Sequence, residues 1–154
     1  MTVVDNGNNT FTVDISGLDL QSLAEGETLT DSFDYTISDG NGGTDTASMR
    51  LEFYGANDSP VITFEGGGTS ASVTVGEGTT LVDTIDASDP DTGDTITYSI
   101  SGGADAGAFT IDSSTGALSF NSAPDHDAPT DTGGDNVYDV QVTVTDEGGL
   151  TDTQ

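Results

Sequence analysis

The chain has 154 residues, 21 of them glycine, with no cysteine, no tryptophan and only 32% hydrophobic residues; it can bury one thin core or two small ones, and disulfides cannot reinforce either. Its formal charge is −27, from 28 acidic residues set against a single basic one, Arg50. Nucleic acid and anionic membrane surfaces need clustered Lys and Arg, so both are excluded as partners and cations become the natural ligands. No stretch has the length of a membrane span, and the first twenty residues hold neither a basic start nor a long apolar run, so secretion is expected to be directed from elsewhere in a longer chain.

Low hydrophobicity with high charge is also the composition of disordered chains. Against that reading stands a set of short runs in which apolar and polar residues alternate, a pattern that a solvated tail has no reason to keep. In chain order these predict strands over 10–15, 32–38, 46–54, 72–75, 95–100, 108–111, 117–120 and 137–145, separated by Gly, Asp, Asn and Ser. Leu18, Leu20 and Leu23 have room for one or two helical turns, too short to set the fold. The expected class is all-β, in two small units. Their boundary falls at Gly55-Ala-Asn-Asp-Ser-Pro-Val, where Pro60 holds Ser59 extended and stiffens the exit.

The chain repeats itself internally. Phe33-Asp-Tyr-Thr-Ile-Ser-Asp aligns without a gap with Val140-Gln-Val-Thr-Val-Thr-Asp at an offset of 107 residues, and the match runs on through a Gly-rich turn to Thr-Asp-Thr. Side chains alternate along a strand, so Asp39 shares a face with Phe33, Tyr35 and Ile37, and Asp146 with Val140, Val142 and Val144. Each Asp either opens a hairpin turn or ends a core face as a carboxylate that needs a metal. On that logic the second unit should reach a final strand, the counterpart of Ala47 to Tyr54, at Gln154, leaving an open edge or a strand to be borrowed.

Asp86-Ala-Ser-Asp-Pro-Asp-Thr-Gly-Asp is the densest acidic cluster. Asp89 and Asp91 lie two apart around a proline, pointing to one side of an extended segment, with Gly93 turning the chain toward Asp94. Two carboxylates about 4 Å apart repel by about 4 kcal/mol at an effective dielectric near 20, so a cation between them is favoured; the alternative is a solvated acidic turn. The twelfth residue from Asp89 is Ile100, which rules out an EF-hand loop. Catalysis has little to work with: His126 is the lone histidine, there is no Cys nucleophile, no Gly-x-Ser-x-Gly elbow and no phosphate-cradling loop. The carboxylates lie in polar turns, not in the apolar pocket that a glycosidase acid needs.

Some of these motifs resemble a known family. Asn57-Asp58-Ser59-Pro60 resembles the linker that ends cadherin repeats, Asp89-Pro-Asp91 their Asp-x-Asp motif, and Asp125-His-Asp127 their Asp-x-Glu motif with Asp in place of Glu. Residues 59–154 resemble a bacterial cadherin-like domain. Residues 1–58 resemble the later part of the repeat first noted in Vibrio, Colwellia, Bradyrhizobium and Shewanella (VCBS) proteins, as found in large repetitive RTX-type adhesins of biofilms. The resemblance implies tandem Greek-key, immunoglobulin- or cadherin-like β-sandwiches, the last lacking its final strand. It also implies calcium at two sets of ligands: Asn57, Asp58, the Ser59 carbonyl, Asp89, Asp91 and Asp146 at the junction, and Glu77, Asp125 and Asp127 at the far end. The first unit has no obvious Asp-x-Glu motif; Glu25, Glu27 and Asp39 are its candidates. The function implied is a non-enzymatic extender of an extracellular or cell-surface adhesin, with calcium rigidifying the junction and neighbouring repeats as partners. The alternative is a module that binds a carbohydrate or peptide, or its own kind, directly.

Overall fold

A computed structural model describes residues 1–8 and 10–154. The chain divides into two compact units, Met1–Asn57 and Asp58–Gln154. The first contains β1 (Thr2–Asp5), β2 (Phe11–Asp14), β3 (Thr28–Ser38) and β4 (Thr44–Tyr54). β1 pairs with β2, and β3 pairs with β4 along all 11 residues, from Thr28 opposite Tyr54 to Ser38 opposite Thr44. Alternation sets the faces: Leu29, Phe33 and Tyr35 of β3 are half-buried, while Thr30, Asp34 and Thr36 stand in solvent. The Phe11 ring lies 6.3 Å from Phe33 and 5.8 Å from Tyr35, pinning one hairpin to the other. The Leu-rich segment makes turns and no helix, with the Leu18 N–H donating to the Ile15 carbonyl and the Leu23 N–H to that of Leu20.

The second unit contains β5 (Val61–Ile62), β6 (Leu81–Thr84), β7 (Ala87–Ser88), β8 (Thr97–Gly102), β9 (Phe109–Ile111), β10 (Ala117–Phe120), β11 (Gln141–Thr145) and β12 (Thr151–Thr153). Two antiparallel sheets are ordered β6-β10-β9 and β12-β11-β8, and β5 and β7 form a separate short antiparallel pair. Phe109, Leu118 and Phe120 from the first sheet meet Val142 and Val144 from the second, with Ile62, Phe64 and Ile85 completing the core. The Phe109 and Phe120 rings stack at 4.5 Å, and Tyr138 meets Phe120 edge-on at 5.0 Å. Between β9 and β10 the turn requires Gly116: its φ is +72°, and a Cβ there would come within 2.6 Å of the Ile85 carbonyl oxygen, which is why Thr-Gly stands at this point.

The internal repeat is a repeat of geometry. Thr36 faces Thr46 and, 107 residues later, Thr143 faces Thr153, with the paired hydroxyls 2.9 and 3.0 Å apart. The turns match as well: the Asp39 N–H donates to the Gly43 carbonyl at 3.0 Å, and the Asp146 N–H to that of Leu150 at 3.1 Å. Three strand expectations need correction. Residues 72–75 alternate but pair with nothing, residues 137–140 stay outside β11, and the last strand begins at Thr151, the counterpart of Thr44. Alternation records which face is apolar; a ladder also needs a second backbone within reach.

Candidate metal centre

The Asp89-Pro-Asp91 segment turns tightly because each carboxylate caps the backbone near it. Asp89 Oδ1 accepts the Asp91 N–H at 2.9 Å, Asp91 Oδ2 accepts the Asp58 N–H at 2.8 Å, and the Asp94 N–H reaches the Asp91 carbonyl at 3.4 Å. These bonds fix three acidic side chains together: one oxygen each from Asp89, Asp91 and Asp94 lies within 4.8 Å of the other two. Asp91 is only 3% exposed.

Two oxygens in this cluster, Asp89 Oδ2 and Asp91 Oδ1, are buried without any hydrogen-bond donor. A buried acceptor without a partner costs on the order of 1–3 kcal/mol, more when charged. Arg50, the single Lys or Arg of the chain, pairs with Glu52 on β4. Burial raises the Asp94 pKa above the ordinary carboxylate range, and the charges of Asp89, Asp91, Glu147 and Asp146 raise it further. An all-carboxylate set with bare, converging oxygens is the donor chemistry of a hard divalent cation. Asp89, Asp91 and Asp94 are the residues fitted to hold one.

Buried carboxylates elsewhere make the contrast plain. Asp105 accepts the Thr132 hydroxyl, the Asp139 N–H and the Thr132 N–H, which together lower its pKa. Burial pushes Asp131 up, but the N–H groups of Asp135 and Asn136 outweigh it and leave its pKa low. These side chains act as internal backbone caps and need no metal. In sequence they are indistinguishable from any acidic Gly-rich loop.

The remaining expected ligands fall into place unevenly. Asp58 is tied to Asp91 through its amide, whereas Asn57 closes the first unit and Ser59 is exposed. Asp39 and Asp146 both cap their hairpin turns, accepting the N–H of Gly43 at 2.9 Å and of Leu150 at 2.8 Å. They differ in burial: Asp39 is exposed, and Asp146 is 6% exposed within the electrostatic neighbourhood of Asp94. Glu77 meets the Asp125-His-Asp127 turn, accepting the His126 N–H at 3.3 Å, while Asp125 accepts the Asp127 N–H at 3.0 Å. All three carboxylate residues of that set are exposed. Glu25 and Glu27 are exposed as well. Asp94 and Glu147 were not expected as site residues. In sequence Asp94 is only the residue toward which Gly93 turns the chain, and Glu147 enters because Thr95 donates its hydroxyl to it at 2.7 Å across 52 residues, a separation that no local motif signals.

Comparison with known proteins agrees with this architecture. A family model described as bacterial Ig domain matches residues 1–52. No curated protein matches the chain. Among solved structures it is similar to the extracellular cadherin domains 1–4 of protocadherin gamma B7, with a TM-score of 0.57 and 22% identity over 99% of this chain and 36% of that one. It is also similar to the protocadherin gamma B4 extracellular domain, at 0.55 and 18% over 98% and 24%. Drosophila N-cadherin EC1-4 gives 0.53 and 21% over 88% and 33%. The chain thus spans about a third or less of those structures. The fold is the all-β sandwich of immunoglobulin-like and cadherin-like domains.

Proposed function

We propose that this chain is a calcium-dependent extender segment of a large bacterial surface or secreted adhesin and has no catalytic role. In this reading residues 1–58 are the later part of a VCBS-type repeat and residues 59–154 a cadherin-like domain. The observation that carries it is the pair of buried oxygens on Asp89 and Asp91 that no protein donor reaches. Calcium would be held by Asp89, Asp91 and Asp94, with Asn57, Asp58, Ser59 and Asp146 supplying further oxygens, and would stiffen the passage from one repeat to the next. Glu77, Asp125 and Asp127 are the proposed counterpart for a following repeat. The chemistry that the ion supplies is neutralisation: it offsets mutual repulsion in a chain of charge −27 and stabilises the folded state by mass action. The partners on this reading are neighbouring repeats, and the setting is extracellular.

Titration calorimetry of the ion-free chain with calcium chloride tests this proposal. Uptake of calcium that weakens on Asp89→Asn or Asp91→Asn, with a melting temperature that drops in excess chelator, is expected. A heat trace without uptake, together with an unchanged melting temperature, would overturn it.

A further inference from the structure

Asparagine is followed by glycine at two places in the chain, Asn6-Gly7 and Asn41-Gly42. In this dipeptide the glycine amide nitrogen can attack the asparagine side-chain amide, because the glycine has no Cβ to shield its nitrogen. Both pairs are exposed and both lie in hairpin turns, the first between β1 and β2 and the second between β3 and β4. Sequence makes them equal; the structure separates them.

At Asn6 every reacting group is engaged. Nδ2 donates to the Thr10 and Thr12 hydroxyls at 3.1 Å each, and Oδ1 accepts the Thr12 hydroxyl at 3.3 Å. The Gly7 N–H, which would be the attacking group, donates to Asp5 Oδ1 at 2.8 Å. Attack at this turn requires those bonds to be given up first.

The Asn41 turn distributes its bonds otherwise. Asp39 Oδ1 accepts the Asn41 N–H at 2.7 Å and the Gly43 N–H at 2.9 Å, the Gly40 N–H donates to the Ser38 hydroxyl at 3.3 Å, and the Asp39 N–H donates to the Gly43 carbonyl at 3.0 Å. Of the amides from Asp39 to Gly43, only that of Gly42 lacks an acceptor among the described residues. The Asn41 side chain makes a single long bond, Nδ2 to the Asp39 carbonyl at 3.4 Å. A Cβ built on Gly42 would meet no atom within 4 Å, so its surroundings are open. The φ of Gly42 is +98°, which makes glycine the residue that the turn demands there. Asparagine before it is not demanded: the matching turn 107 residues later has Gly148 at this position and closes through Asp146 in the same way.

We propose that Asn41 is a site of spontaneous deamidation and that Asn6 is protected from it by its turn. The Gly42 nitrogen gives its proton to solvent base and bonds to Asn41 Cγ, and the Cγ–Nδ2 bond breaks with release of ammonia, leaving a cyclic imide. Water then adds across either of the two ring C–N bonds. One opening leaves an aspartate at position 41; the other leaves an isoaspartate, with the backbone routed through the former side chain and lengthened by one carbon. Either product adds one negative charge to the β3–β4 turn. The proposal is independent of calcium.

The test incubates the chain in chelator at mildly alkaline pH, natively folded and in denaturant, and follows each asparagine by mass spectrometry after brief digestion in acid with a protease that cuts after glutamate. Cuts at Glu25 and Glu27 separate the two sites. In the folded chain Asn41 is expected to convert about tenfold or more faster than Asn6, and in denaturant the two rates should come within about twofold of each other. Asn41→Gly, which copies the second unit's turn, should abolish the slow acidic shift of the folded chain on ion exchange. Equal rates in the folded chain, faster loss at Asn6, a difference that persists in denaturant, or an acidic shift that survives Asn41→Gly would each overturn the proposal.

Discussion

At Asp89 and Asp91 two demands conflict. Each carboxylate satisfies a backbone N–H with one oxygen and leaves the other buried and bare. An amide oxygen at residue 89 would keep the first bond and remove a charge. Asp89→Asn should therefore stabilise the ion-free chain by on the order of 1 kcal/mol and destabilise it relative to the parent in millimolar calcium. Denaturant titrations with and without chelator would show the sign change, and the same sign in both conditions would contradict a metal role. Acid should act in two stages. Asp94 is held above the ordinary carboxylate range, so its charge costs stability at neutral pH, and that cost disappears as pH falls through its raised pKa. Asp105 and Asp131 are held below that range, so they contribute stability above the unfolded pKa and lose it as pH falls through their own lower values. Without calcium, melting temperature should first rise on mild acidification and then drop; with calcium the rise should vanish. The Asp-x-Asp spacing was legible in the sequence because it is local. The roles of Asp105 and Glu147 were not, because their partners Thr132 and Thr95 lie 27 and 52 residues away in the chain.

Among elements, the hairpins show what periodicity conveys. β10 was legible to the residue, and β3 and β4 in part: the alternation over 32–38 and 46–54 misses Thr28–Asp31 of β3 and Thr44 and Asp45 of β4. Residues 72–75 and 137–140 alternate equally well and form no ladder, because sequence states which side chains seek a core and is silent on whether a second backbone arrives. β5 and β7, two residues each, carry too few side chains for any pattern. The β9–β10 turn rests on one obligatory residue type. Gly116→Ala places a Cβ against the Ile85 carbonyl at positive φ and should cost roughly 1–3 kcal/mol. The loss should appear in denaturant melts irrespective of calcium, and an unchanged midpoint would mean that the β9–β10 turn relaxes.

Across the molecule, core and charge are distributed differently. Every residue of the buried apolar cluster belongs to the second unit, whereas β3 and β4 of the first carry side chains that are half-buried at most. Val144→Ala, at a site with no exposed surface, should cost about 2 kcal/mol and lower the calorimetric transition of the second unit without moving that of the first. Arg50 gives this asymmetry a practical handle. As the single basic residue of the chain, it makes Arg50–Leu51 the one bond open to trypsin, and that bond sits inside β4, paired with Ser32 and Asp31. A protease that needs an unpaired stretch of backbone can cut there only when the β3–β4 hairpin opens. Two tryptic fragments, and no others, would then time the breathing of one hairpin in an otherwise indigestible chain.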